Sequence, residues 1–293
     1  VVLISEQAHV SLDKAARVMG LEPDGIRRIP VDAQGCMLIT ALQDHLQLLQ
    51  RQNRPCIAVV ATAGTTVRGA IDPIPSLAKL CAEQGIWLHV DGAIGAVFAL
   101  CPGTSRLMEG LGHADSITVN PQKLLGIAKT SSLLLVRDQS SLEQTFHTGL
   151  PYMEPAFAAA HGGELGLQGS RPAEILKLWL GLRQLGEQGI HAVLEQALLR
   201  RQRLQNCLDP SLLEITSGPL HLLACAPLGA DAPRCEQWTA AMRHRLLDQQ
   251  IMVSRPVYEG RHRIKVVLGN PHTSDSLIDQ LGTQLNDISV GQS

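Results

Sequence analysis

The run Cys56-Ile-Ala-Val-Val-Ala61 is apolar at every position. A strand with one wet face alternates, so this one has to be covered on both faces, like a central strand of a parallel sheet. Covering layers must then come from helices on either side of it in the chain. Helical periods run over residues 11–19, closed by Gly20, over 40–52, with Thr40 as the expected N-cap, and over 73–84, closed by Gly85. Strand-like runs occupy residues 1–4, 25–31, 86–90, 115–119 and 131–136. This alternation predicts a mostly parallel sheet with right-handed crossovers.

Past residue 138 the pattern changes. Residues 139–169 carry Gly, Pro, Tyr and His with few strong periods, a stretch too long for an ordinary connection and suited to a functional loop or lid. A helix is predicted over 172–185, with Pro172 in its first turn and Gly186 near its end. A second, over 190–207, carries Arg200, Arg201 and Arg203 on its solvated side. Short strands at 212–216, 221–226, 252–256 and 263–268, with helices at 234–249 and 274–286, predict a small α+β unit. The expected division is a large α/β domain over 1–188 and a small domain over 189–293.

Composition narrows the class. With 293 residues, 45% of them hydrophobic, the chain can bury one large core and a smaller one. A net charge of −2 with interleaved signs points to neither nucleic acid nor an anionic membrane as partner. Seven scattered cysteines with no C-x-x-C pair argue for a reducing, cytoplasmic setting and against a disulfide framework or a metal site. No apolar run approaches the roughly 20 residues that span a bilayer. The chain opens on the strand Val1-Val-Leu-Ile without an initiator methionine. It is expected to start inside a domain, leaving one sheet edge and an apolar face uncovered.

Two of the buried-looking strands deliver an ionisable residue at the C-terminal end: Ile86-Trp-Leu-His-Val-Asp91 and Asp115-Ser-Ile-Thr-Val-Asn-Pro-Gln-Lys123. Ligands of parallel sheets gather at that edge, and a core tolerates neither charge unpaired. An amine beside a carboxylate is what a pyridoxal-phosphate site needs, the amine to bond the aldehyde and the carboxylate to keep the pyridine nitrogen protonated. His9 and Gly64-Thr65-Thr66 fall at or past other strand ends, so one site can collect them all.

Ala61-Thr-Ala-Gly-Thr-Thr66, His89-Val-Asp-Gly-Ala93, Ala114-Asp-Ser-Ile-Thr-Val-Asn-Pro-Gln-Lys123 and Lys177-Leu-Trp-Leu180 stand in the order seen in group II pyridoxal-dependent amino acid decarboxylases. The opening Ser5-Glu-Gln-Ala-His9-Val-Ser resembles that family's segment with a cofactor-stacking histidine. The resemblance covers residues 1 to about 185 most closely. It implies the aspartate aminotransferase fold type (fold type I), pyridoxal 5'-phosphate as cofactor, an amino acid as small-molecule substrate, and a homodimer. The family includes glutamate, cysteine sulfinate, aromatic L-amino acid and 2,4-diaminobutyrate decarboxylases.

Carried over residue by residue, Lys123 resembles the lysine that forms the Schiff base, and Asp91 the partner of the pyridine nitrogen. Ala93 is then near the ring. Thr66 and Asn120 resemble contacts to the cofactor's polar groups, although by residue type each could equally be a turn or cap residue. His9 resembles the stacking histidine that also faces the substrate, where a lone histidine after a strand is more often structural. Arg171, in Gly169-Ser-Arg-Pro-Ala-Glu-Ile-Leu-Lys177, resembles the arginine that pairs with the substrate carboxylate. Tyr152 resembles the loop tyrosine that returns a proton to the substrate carbon. His89, two before Asp91 on the same strand face, reads as a satisfied strand histidine.

Two departures from the family pattern stand out. Gln122 replaces the histidine that usually precedes the lysine; it can hydrogen-bond a phosphate but cannot titrate. The Gly/Ser-rich phosphate loop and an N-terminal segment that intertwines across the dimer are expected to precede Val1. The favoured reading is an L-amino acid decarboxylase that releases carbon dioxide and the amine. The alternatives are another enzyme of the fold type, such as a desulfurase or aminotransferase, and an inactive truncated remnant.

Overall fold

A computed structural model of the chain describes residues 1–129, 131–148 and 162–291. Among them, β1 (Val2–Ser5), β2 (Ile26–Ile29), β3 (Ala58–Thr62), β4 (Trp87–Asp91), β5 (Ser116–Val119) and β6 (Leu133–Val136) make one sheet, ordered β2-β1-β3-β4-β5-β6. The first five run parallel and β6 pairs antiparallel with β5. The sheet is therefore α/β and mostly parallel, as the alternation of periods predicts.

The apolar run that demanded cover has it. Val59 and Ala61 join the main core, while Val60 packs on the other face with Ile4 and Ala8. The strand starts at Ala58, two residues later than its apolar run. The opening strand β1 is interior, paired with β2 on one side and β3 on the other. The edges are β2 and β6; on β6 Leu133 packs against the main core, while consecutive Leu134 and Leu135 are both exposed.

Helices α1 (Ser11–Val18), α2 (Ile39–Arg51) and α3 (Ile74–Gln84) fill the crossovers. α3 stops at Gly85 in the left-handed region (φ +63°), as its sequence announces. Thr40 is not the N-cap of α2. Extended Leu38 is, and its carbonyl accepts the Leu42 N–H at 3.0 Å, because the buried stripe of Leu42 and Leu49 sets the helix phase.

A short helix α4 (Ser140–Phe146) lies in the stretch read as irregular. α5 (Ile175–Cys207) joins the two helices expected over 172–185 and 190–207, with one non-helical residue, Gly186 (φ 62°, ψ 176°), at their junction. It starts three residues after Pro172. Leu178, Leu194 and Ala197 enter the large core and Leu204 a second one, so α5 ties the two together. Of the three arginines expected on its solvated side, only Arg203 is exposed, reaching Asp275 at 2.9 Å and Asp279 at 2.6 Å. Arg200 and Arg201 are half-buried; the Pro271 carbonyl accepts from Arg200 at 3.1 Å, and Gln205 Oε1 accepts from Arg201 at 2.8 Å.

The second core is layered on an antiparallel sheet. β7 (Leu213–Ser217), β8 (Leu222–Pro227), the small pair β9 (Val257–Tyr258) and β10 (Arg261–His262), and β11 (Ile264–Val267) follow in chain order, with β11-β8-β7 as the sheet. Helices α6 (Ala232–Asp248) and α7 (Asp275–Leu285) supply Trp238, Met242, Ile278 and Leu281 to its core. Residues 252–256 contribute one bridge, Ser254 to Lys265, rather than the expected strand. Among the described residues no helix is long and apolar enough to cross a membrane.

Candidate active site

β3, β4 and β5 end together, with Thr62, Asp91 and Thr118 in register on the same sheet face. The loops beyond them are pressed close. Gly64 has φ +108°, and a Cβ there would meet Leu220 Cδ1 at 2.9 Å; one on Gly95 would lie 2.4 Å from the Ala63 carbonyl oxygen. Neither loop admits a side chain. Thr65 spends its hydroxyl on this turn, accepting the Ala70 N–H at 2.9 Å. Half-buried Thr66 keeps its side chain free of hydrogen bonds to the described residues. Beneath the turn, buried Asp72 accepts N–H bonds from Met37 (2.6 Å) and Thr62 (2.7 Å). Burial pushes its carboxyl up to about 6, against the pull of those two donors.

The exit of β5 is pinned to the entry of β6. Asn120 Oδ1 accepts from Ser132 Oγ at 2.6 Å and Gln122 Oε1 from the Ser131 N–H at 2.9 Å, while the Lys123 N–H closes a turn onto the Asn120 carbonyl at 2.9 Å. Gln122 thus uses its acceptor on the backbone, and its amide N–H groups make no hydrogen bond among the described residues. Lys123 is exposed as a residue, and partial burial lowers the pKa of its amine, with Asp91 pulling the other way. The amine and the Asp91 carboxylate are therefore within electrostatic reach. Asp91 Oδ1 accepts the Ala93 N–H at 3.1 Å, which places half-buried Ala93 directly beside the carboxylate.

His9 is exposed and bonded locally, its Nδ1 2.8 Å from Ser11 Oγ. Arg171 is also exposed and donates to the Gly162 carbonyl at 2.6 Å. Tyr152 lies outside the described residues. His89 is paired on both ring nitrogens, Nδ1 with Ser116 Oγ at 2.8 Å and Nε2 with Thr118 Oγ1 at 3.2 Å.

Two residues that the sequence reading passed over also converge here. Burial lowers the pKa of Lys265 on β11, and the charge of Lys123 lowers it further. His221, almost fully buried beside Phe98 with Nδ1 unpaired, is pushed down to about 4, first by burial and then by Lys265. The signal was there: in Ile264-Lys-Val266 the two apolar residues enter the second core, so the lysine between them must point to the opposite face.

A family model described as the pyridoxal-dependent decarboxylase conserved domain matches residues 1–216. The chain belongs to the pyridoxal-dependent decarboxylases. It is 32% identical to L-2,4-diaminobutyrate decarboxylase of Rhizobium meliloti (strain 1021) over 289 residues, 96% of this chain and 58% of that one. Over 198 residues it is 35% identical to cysteine sulfinic acid decarboxylase of Rattus norvegicus, 66% of this chain and 40% of the relative. Among solved structures, mouse CSAD superposes with a TM-score of 0.90 at 27% identity, covering 98% of this chain and 63% of that one. The chain thus spans less than two thirds of the length of these relatives. The fold is that of the pyridoxal decarboxylases, fold type I.

The donor set fits the family's cofactor. An amine with a lowered pKa suits carbonyl addition, a carboxylate stands in reach of it, and the buried Thr62 hydroxyl, level with Asp91, has no hydrogen-bond partner among the described residues. That orphaned hydroxyl is a polar group awaiting a ligand or water.

Proposed function

We propose that the protein is a pyridoxal-phosphate-dependent decarboxylase that converts an L-amino acid to its amine and carbon dioxide. The observation that carries this is the placement of Asp91 at the end of β4, in register with Thr118 of β5, and of Lys123 in the turn that leaves β5, near enough for Asp91 to raise the pKa that partial burial lowers. Pyridoxal phosphate, when bound, supplies a ring that accepts the electron pair left on Cα as carbon dioxide departs.

The chain's own residues do the rest. Lys123 holds the cofactor through its amine, which desolvation keeps nucleophilic. Asp91 places a negative charge at the ring nitrogen and so favours its protonated form. Thr66, Asn120, Ala93 and His9 are the further cofactor contacts, and Gln122 offers its amide N–H groups to the phosphate. Lys265, with no carboxylate paired to it among the described residues, receives the substrate carboxylate, and Arg171 is the second candidate. Tyr152 is the proton donor to Cα, with His9 able to share that role.

A homodimer is supported by the exposed apolar stripe Ile175, Leu176, Trp179 and Leu180 on the first turns of α5. The unpaired cysteines suit a reducing cytoplasm. The relatives make 2,4-diaminobutyrate and cysteine sulfinate the first substrates to try. The test is carbon dioxide release from a panel of amino acids, run beside Lys123→Ala. The wild type should show a visible absorbance removed by borohydride, and the variant should lose both that band and turnover. Normal turnover in Lys123→Ala, or keto-acid or sulfide formation in place of carbon dioxide, overturns the reading.

A further inference from the structure

On β4 and β5 a row of polar side chains leads up to Asp91. Trp87 Nε1 donates to Ser116 Oγ at 2.8 Å, Ser116 Oγ lies 2.8 Å from His89 Nδ1, and His89 Nε2 lies 3.2 Å from Thr118 Oγ1. The direction of these bonds follows from one fact: an indole N–H only donates. Ser116 accepts from Trp87 and is itself buried, so its own hydrogen needs an acceptor. The only one it has among the described residues is His89 Nδ1. His89 therefore carries its proton on Nε2 and donates it to Thr118. A second proton, on Nδ1, would make Ser116 accept from both Trp87 and His89 and leave its own buried hydrogen without an acceptor among the described residues.

The position gives this arrangement a purpose. His89 and Asp91 share a face of β4, two residues apart, close enough for the carboxylate to favour an imidazolium. β3 presents Val60 beside the ring and β5 presents Ser116 and Thr118, so Asp91 is the charge that bears on it. A protonated His89 would be a cation competing with the cofactor's ring nitrogen for the same carboxylate. Burial wins over Asp91 and holds the imidazole below the ordinary histidine range.

We propose that the Ser116 and Thr118 hydroxyls lock His89 as a neutral positioning residue, so that Asp91 keeps an uncompensated negative charge for the cofactor's ring nitrogen. The inference rests on the assignment of Asp91 to that nitrogen.

Nitrogen-15 NMR of the cofactor-free protein reads the first half directly. His89 should appear as the neutral Nε2–H tautomer at pH 5.5 as well as at pH 7.5; an imidazolium or the Nδ1–H tautomer there overturns the proposal. The second half needs Ser116→Ala with Thr118→Val, which frees the ring. In the cofactor-loaded double variant, where Nδ1 can be protonated beside Asp91 without orphaning a hydroxyl hydrogen, kcat should fall severalfold more between pH 7.5 and 5.5 than it does in the wild type. Adding His89→Gln, neutral at every pH, should abolish that extra fall. A double variant whose His89 titrates while kcat keeps the wild-type profile, or an extra fall that survives His89→Gln, refutes it. Should the double variant not fold, the wild-type tautomer decides alone. Asp91→Asn separates the two layers: if that variant turns over normally, the Asp91 assignment fails, whatever the tautomer of His89.

Discussion

Lys265 on β11 stands near enough to Lys123 for the charge of one lysine to depress the pKa of the other. Two ammonium groups brought together at a partly dry junction between two cores, with no carboxylate bonded to either among the described residues, make a place that favours an anion. An amino acid substrate brings a carboxylate of the right charge.

Replacing Lys265 by Met should therefore weaken productive substrate binding. Losing one partner of a desolvated charged contact costs about 2 kcal/mol or more, roughly a thirtyfold fall in kcat/KM. Lys265→Arg should recover most of it. Steady-state kinetics settle the point: a Met variant within twofold of wild type transfers the carboxylate to Arg171.

Asp91→Asn tests a different contribution. The side chain keeps its shape and its acceptor for the Ala93 N–H, and loses only the charge. Cofactor should still bind, since Lys123 is intact, while kcat falls by about two powers of ten or more because a charge aimed at the reacting ring is gone. Near-normal kcat, measured at saturating cofactor, means that another residue holds the ring nitrogen.

The sheet was legible, and the two candidate site charges could be singled out, because each rests on a local signal. The Cys56–Ala61 run had to be covered on both faces, Asp91 ends the apolar strand β4, and Lys123 follows the end of β5 by four residues. The order of the strands was not legible, since nothing in residues 1–4 says that β1 is flanked by both β2 and β3. Register across strands is equally silent in sequence, so His89 reads as a satisfied histidine while the identity of its partners, Ser116 and Thr118, comes only from the β4–β5 pairing. Lys265 was missed for a related reason. It arrives at Lys123 by the docking of one core on the other, some 140 residues later in the chain. Thr40 failed as a cap because a buried leucine stripe outweighs a capping preference worth about 1 kcal/mol.

The exposed stripe on α5 yields a prediction about assembly. Ile175 and Trp179, and Leu176 and Leu180, are spaced by four residues and lie on one side of the helix, opposite buried Leu178. Arg183 sits over the Trp179 ring at 5.7 Å, leaving the rest of the indole open. Trp179→Glu should shift a dimer toward monomer in sedimentation velocity while circular dichroism stays unchanged. An unaltered dimer would place the interface elsewhere.

Asp72 and His221 make opposite demands on pH. Asp72 has its folded pKa raised from 3.8 to about 6, so the folded state binds its proton more tightly than the unfolded chain does. Its stabilising contribution is whole below pH 4 and is lost as pH rises through 6. His221 has its folded pKa lowered from 6.5 to about 4, so its contribution is whole above pH 6.5 and is lost as pH falls toward 4. Each shift corresponds to about 3 kcal/mol across its window, and the two largely cancel in the wild type. Single variants should expose them. Relative to Asp72→Asn, the wild type should lose stability between pH 4 and 6.5; relative to His221→Gln, it should gain stability over the same range. Urea unfolding at a series of pH values measures both differences, and pH profiles that run parallel for all three proteins would show that neither group titrates differently in the folded state.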